Sequence, residues 1–442
     1  MTSIKGNPAQ GLFGATAGFF FGFAAVALFG PTAARFEAAM GLTPMMVGLL
    51  VAMPALSGSL LRIPFSAWVD SDGGRKPFLV LLTLSVIGMA GLSFIIWRYY
   101  PDGLTRAFYP LILFLGLLCG CGIATFSVGI SQVSYWFAKD KQGTALGTYG
   151  GVGNLAPGIF SFILPVALVQ FDLLGSYLAW LAFLIIGLGV YLATGRNAWF
   201  FQLRKQGVTA DEARRRAGEM GQVLFPSGTP MTSLRASASI WKMWLLVLIY
   251  FSTFGGFIAL TAWFPTYWTK LFGTTVFLAG TLTAIYSIGA SLARVGGGFI
   301  ADRFGGERTL IVFALVMGFG ATTLAFCTSF SGAVAGMALL SIAMGVMNAA
   351  VFKLVPQEAP QAVGGAAGWV GGLGALGGFV LPPVLGAFVE AQGTAGYAGG
   401  FLIFLGLAVL CLILAAVIRQ TRTRVSANAA PAAELVAGQG DA

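Results

Sequence analysis

From residue 11 to residue 418 the chain is a succession of apolar stretches, each about twenty residues long and closed off by charged residues or by glycine and proline. Twelve can be read, near 11–34, 44–68, 77–98, 108–137, 142–170, 173–194, 240–264, 275–301, 308–328, 331–355, 363–389 and 395–418. Twenty helical residues rise about 30 Å, the thickness of the hydrocarbon core of a bilayer. The pattern therefore predicts an all-α polytopic membrane protein of twelve transmembrane helices. Composition agrees: 57% of the 442 residues are hydrophobic and 9% charged, where soluble domains carry about 25% charged residues. The opening MTSIKGNPAQG is polar, and the first apolar run is too long for a signal-peptide core and lacks a cleavage site, so uncleaved insertion is expected.

The net charge of +10 follows topology and does not mark a nucleic-acid surface. An even number of spans puts both termini on one side. Nineteen of the 25 Lys and Arg fall on that side, among them Lys5, Arg75, Lys76 and the run from Arg196 to Lys242; Arg35, Arg98, Arg106 and Lys270 fall opposite. This asymmetry predicts cytoplasmic N- and C-termini; the expected location is a bacterial inner membrane. The four cysteines, Cys119, Cys121, Cys327 and Cys411, lie in apolar segments without metal-site spacing and read as small core residues. There is no histidine, and neither a metal nor a cofactor is expected.

The sequence repeats itself. Arg62 and Arg294 are 232 residues apart, as are Asp70 and Asp302, and Gly73/Gly74 match Gly305/Gly306 at the same offset. A second echo sets GTALGTYGGVGN, from Gly143, against GGAAGWVGGLGA, from Gly364, at an offset of 221. The polar stretch Arg196 to Arg235 separates the copies, and Arg214 to Arg216 after Asp211 and Glu212 suggests a short surface helix on a solvated linker. The expected organisation is a six-helix bundle over 1–195, a cytoplasmic linker over 196–238, a second six-helix bundle over 239–422, and a disordered Ala-rich cytoplasmic tail over 423–442.

Two arginines remain inside spans. Arg62 lies eight residues before Asp70 at the end of its span, about 12 Å inward and near mid-membrane; Arg294 stands eight before Asp302, at the same depth in the other copy. An arginine there costs roughly 2.5 to 3.5 kcal/mol on insertion scales. Snorkelling is hard from that depth, and all fifteen Asp and Glu lie at span ends, in loops or in tails. The missing counter-ion is read as the substrate. A guanidinium is planar, remains charged and offers paired parallel donors, so two of them suit a small flat oxyanion of low charge.

Parallel six-span repeats are the architecture of the major facilitator superfamily, and DRFGGER, Asp302 to Arg308, resembles that superfamily's loop between its second and third helices, with DSDGGRK a looser version. The loop latches the cytoplasmic side of the halves in that superfamily, which implies a gating role for Asp70, Asp302 and Arg303. LRIP around Arg62, ARVGGGFIADRFGG around Arg294, GGVGN at Gly150 to Asn154, VFKLVP at Val351 to Pro356 and GALGGFVLP at Gly374 to Pro382 are each similar to patterns of the nitrate/nitrite porter family. The resemblance spans both halves and implies the major facilitator fold, two pseudo-symmetric six-helix bundles. It also implies that Arg62 and Arg294 clasp nitrate between aromatic side chains, Phe126, Tyr250 and Phe254, with Asn154 nearby. The glycines of the fifth and eleventh spans, Gly150, Gly151, Gly153, Gly371, Gly372 and Gly374, allow close helix packing and sliding. Asn154 has Ala375 at the matching position of the second copy, so the repeat supplies only one amide. Pro157, three residues on, interrupts the expected helix. Lys353 is placed near a cytoplasmic helix end, in gating or topology.

These readings predict a secondary transporter of nitrate and nitrite that works by alternating access, by nitrate/nitrite antiport in nitrate assimilation, as a monomer. Two facing cations oppose closure of an empty cavity, which favours obligatory exchange. Proton-coupled nitrate symport and carriage of another small anion of the formate, oxalate or phosphate type are the alternatives; no titrating acid or histidine is visible for the former. A sensor would need long regulatory tails. No nucleophile-base set or metal cluster supports an enzyme, no phosphate loop is present, and a cationic drug would meet two arginines.

Overall fold

The computed structural model describes residues 4–226, 230–359 and 363–437, and all its regular secondary structure is helical. Among the described residues eleven helices are long and apolar enough to cross a membrane: Pro8–Ala27, Pro44–Asp72, Arg75–Tyr99, Arg106–Ser134, Ala145–Thr194, Trp241–Phe272, Val276–Phe304, Gly306–Phe326, Phe330–Val355, Gly365–Gly399 and Leu402–Thr421. The fifth is two spans in one, because the backbone turns at Asp172 (φ 54°, ψ −170°). The total is the twelve read from the sequence. Large apolar side chains such as Val169, Phe299 and Phe326 stand 78%, 74% and 70% exposed on the outside of the bundle; a soluble surface rarely carries so much apolar area, and here it is the face that meets lipid.

Helix ends follow local chemistry. Asn7, Thr43, Thr275 and Ser329 each cap a span by accepting a backbone N–H three residues on. The first span ends sooner than the expected residue 34, at Ala27, and a separate helix, Ala33–Met40, follows; Pro31 between them lacks the N–H a continuous helix needs. The twelfth starts at Leu402 and not near 395, because Gly393 to Gly400 form short separate turns. Its helix runs on to Ala437, so part of the expected disordered tail is helical, in keeping with its alanine content. The first glycine of each repeated Gly-Gly pair closes its helix at positive φ, 77° at Gly73 and 89° at Gly305. Only glycine adopts that conformation without strain.

The halves meet most tightly at the end of the bundle away from the termini, the far end. There a side chain added at Gly30 would lie 2.7 Å from the Ala262 carbonyl, and side chains at Gly48, Gly280 and Gly386 would run into the backbone carbonyls of Pro382, Ser161 and Pro44. Lys270 and Glu37 add an ion pair across the halves at 2.8 Å. Near mid-membrane the second span leans on the eleventh, where a Cβ at Gly372 would be 2.9 Å from Ile63.

The segment between the bundles is more than a solvated tether. Its helices Trp199–Lys205 and Ala210–Glu219 enclose a small core of Phe200, Phe201, Leu203, Ala213 and Ala217 packed on Trp136 of the first half. Buried Gln222 accepts from the Phe200 amide and donates to the Leu224 carbonyl. The expected surface helix is Ala210–Glu219, where hydrogen bonds from Arg215 and Arg216 pull the exposed Glu212 carboxyl down to about 2. A third helix, Pro230–Ala238, rests on the eleventh span through Trp369, whose indole donates to the Leu234 carbonyl.

Candidate functional site

Arg62 stands where the second span is interrupted: one helix ends at Leu60 and the next begins at Arg62. Its side chain is fully buried. Nε donates to the Gly58 carbonyl at 3.0 Å, and one terminal nitrogen reaches across the halves to the Gly371 carbonyl at 2.9 Å. The other terminal nitrogen has no partner. The eighth span runs unbroken through Arg294, which is half-buried and also keeps a buried terminal nitrogen without a partner. Among the described residues neither arginine forms an ion pair.

Aromatic rings fill the space around the two cations. The Phe254 ring centre is 5.4 Å from the Arg62 guanidinium carbon and 5.6 Å from that of Arg294, so one ring serves both. Phe126 lies 4.9 Å from Arg62, and Phe352 lies 5.6 Å from Arg294. Tyr250 stacks on Phe254 at 4.8 Å with 10° between planes, and meets Phe352 edge-on at 5.1 Å. Each cation thus rests against ring faces that partly compensate its lost hydration. The Tyr250 hydroxyl is buried beside the Arg294 guanidinium.

Local backbone irregularities place these groups. The seventh span carries a π-helical turn at Phe251–Gly255, a wider coil that is frequent at functional sites. It lies between Tyr250 and the following helix and has Phe254 within it. Glycines of the eleventh span make room: a Cβ at Gly374 would come within 2.7 Å of the Tyr250 ring, and one at Gly255 within 2.6 Å of Gly377 Cα. The fifth span breaks after Asn154, at Leu155, and the eleventh breaks after Ala375, at Leu376. These breaks are related by the 221-residue repeat although only the first has a proline two residues on, so Pro157 is not the sole cause of the interruption. Asn154 is 2% exposed with its amide oxygen unpartnered, and its backbone carbonyl accepts from Ser291, one turn before Arg294.

The site is therefore a cationic cluster with flat aromatic walls, buried N–H groups left free and, among the described residues, no carboxylate paired to it. That chemistry fits an anion.

The family model described as "Major Facilitator Superfamily" matches residues 15–382 and again 268–438. A relative from Thermus thermophilus, named "Probable nitrate/nitrite antiporter NarK1", is 31% identical over 86% of this chain and 84% of its own length. The "Nitrite extrusion protein" of Bacillus subtilis is 29% identical, over 83% of this chain and 84% of its own. The chain belongs to the nitrate/nitrite porter family of the major facilitator superfamily. Solved structures agree on the fold of this porter: the xylose transporter XylE from E. coli, in a partially occluded inward-open conformation, superposes with a TM-score of 0.68 over 92% of this chain and 98% of its own at 16% identity. The human organic anion transporter MFSD10 gives 0.61 over 93% and 100%, also at 16%. Like its family, the porter is a transporter and not an enzyme.

Within the porter the residues named from the sequence separate into two groups. Arg62, Arg294, Phe126, Tyr250 and Phe254 form one connected cluster, and the Asn154 backbone carbonyl accepts from Ser291 on the span that carries Arg294. Among the described residues the loop aspartates do not bridge the halves. Asp70 accepts from the Tyr135 hydroxyl at 2.6 Å, Asp302 pairs with Lys353 at 2.7 Å, and each pair lies within one half; Arg303 packs on neighbouring Phe304. Of the glycines, Gly371 gives Arg62 its carbonyl, Gly372 and Gly374 pack on Ile63 and Tyr250, and Gly153 packs on Phe19. Gly150 and Gly151 face open space, with only the Phe126 ring at 4.0 Å from a Cβ on Gly150.

Sequence reasoning missed Phe352 and Tyr149. Phe352 stands inside the VFKLVP motif, but only the packing of the tenth span shows its ring at Arg294. Tyr149, buried in the glycine-rich motif, donates to the carbonyls of Thr125 at 2.8 Å and Phe126 at 3.0 Å. It braces the ring that Arg62 rests on.

Proposed function

We propose that the chain exchanges nitrate and nitrite across the bacterial inner membrane by alternating access, with Arg62 and Arg294 binding the anion and Phe126, Tyr250, Phe254 and Asn154 shaping its slot. The observation that carries this reading is the pair of buried guanidiniums that share the Phe254 ring and each keep an unpartnered nitrogen. A planar anion supplies both missing partners at once and cancels the repulsion between the cations. The names of the relatives support nitrate and nitrite as the substrates. An empty site leaves two facing charges uncompensated, which disfavours return without cargo and favours antiport in nitrate assimilation.

The excess of Lys and Arg on the side of the termini supports cytoplasmic N- and C-termini; the sealed far end is then the outer gate. The bundles over 1–195 and 239–422 rock about the anion as two bodies, joined by the linker over 196–238, in a monomeric carrier. The repeated aspartates brace each half, and the glycines of the fifth and eleventh spans allow the halves to slide. Counterflow in proteoliposomes tests the cycle: external nitrate should enter only vesicles preloaded with nitrite or nitrate. Uptake that requires a pH gradient and no internal anion would overturn antiport in favour of symport.

A further inference from the structure

Asn348, in the tenth span, is 3% exposed, and its amide oxygen has no hydrogen-bond partner. A buried amide left without partners is costly, and half a turn about its Cβ–Cγ bond puts the N–H where the oxygen stands, so one retained in a helix core is open to an acceptor that arrives later. Its place in the bundle points to that partner. The eighth and tenth spans run side by side in backbone contact: a Cβ at Gly345 would run into the Ala290 carbonyl, and one at Gly297 would lie 2.6 Å from Val346 Cα. These contacts set Asn348 level with Arg294. Met344, Asn348 and Phe352 stand four residues apart on one helical face. Met344 packs on Tyr286 and Gly256, and Phe352 packs on Tyr250 and Arg294. Asn348 lies between them, facing the seventh span where it carries its π-helical turn and Phe254.

We propose that Asn348 is a substrate-binding residue of the second half and sets the preference between nitrate and nitrite, an inference that rests on the proposed function. The 221-residue repeat places Ala375 opposite Asn154 and so provides one amide only; the tenth span supplies the other. Nitrate is planar with three oxygens, and nitrite has two. Two guanidiniums occupy two oxygens of either anion. The Asn348 amide, turned to present its N–H, donates to the third oxygen, which nitrite lacks.

The test is anion binding by purified full-length protein, measured by titration calorimetry with nitrate and with nitrite, for the wild type, Asn348→Leu and Asn348→Ser. Asn348→Leu should weaken nitrate by about ten-fold, the loss of one hydrogen bond to a charged group, and nitrite by no more than about two-fold. Asn348→Ser, which keeps a donor, should recover part of the nitrate affinity. Equal losses for both anions, or none in either variant, would overturn the role of Asn348 even where melting temperature falls, since a purely structural amide does not alter the ratio. Wild-type protein that binds neither anion would instead overturn the proposed substrate, which separates the two failures.

Discussion

Arg62 and Arg294 pose different problems to their surroundings. Arg62 has two of its nitrogens fixed by carbonyls on opposite halves and is fully buried, whereas Arg294 is half-buried and held by ring faces. Lysine in either place keeps the charge and loses the planar fork. Arg62→Lys and Arg294→Lys should each weaken nitrate binding by about 10- to 100-fold, the worth of one to two charge-assisted hydrogen bonds; calorimetry checks this, and retained affinity in both variants would refute bidentate binding. Tyr149 acts one step further out. Tyr149→Phe leaves the ring stacked on Phe19 and removes the two bonds to the fourth span. It should cost about 1 kcal/mol of stability and lower nitrate affinity through a looser Phe126, read together from ligand-dependent thermal shifts. The arginines were legible in the sequence because a charge in an apolar run stands out. Phe352 was not, because one phenylalanine among 38 carries no signal of its own until its neighbours in space are known.

At the scale of helices, glycines decide where spans touch. Gly280 of the eighth span abuts the Ser161 carbonyl of the fifth, across the halves at the far end, with no room for a Cβ. Gly298, on the same span, has nothing within 4 Å of that position. Gly280→Leu should therefore hold the far end apart and abolish exchange, with single-cysteine reporters at that end gaining reactivity toward impermeant thiol reagents. Gly298→Ala should transport like the wild type, since alanine in an open helical position is tolerated and gains propensity. Span number and order were readable from hydropathy. The π-helical turn, the break at Leu376 without a proline beside it, and the aspartate contacts inside each half were not, because each depends on which helix lies alongside.

For the molecule as a whole, transport needs two arrangements of the halves that differ little in free energy. The Lys270–Glu37 pair is the one ion pair among the described residues that crosses the halves, with side chains 39% and 27% exposed. Such a pair contributes about 0.2–1 kcal/mol. Glu37→Gln should shift the balance toward an open far end by at most about five-fold, measured as a change in spin-label distance distributions across that end, and high salt should act in the same direction on the wild type. The linker's core packs on Trp136 of the first half, while Pro230–Ala238 rests on the eleventh span.

The sequence by itself determined the twelve spans, the duplicated half and the two unpaired arginines at matching depth, because hydropathy, repeat and charge are properties of linear order. The tertiary structure alone decided which rings wall those arginines, that the tenth span brings Phe352 to Arg294, and that the halves pack closely at the far end. Such contacts join residues hundreds of positions apart, and their geometry follows from how helices pack, which no local pattern encodes.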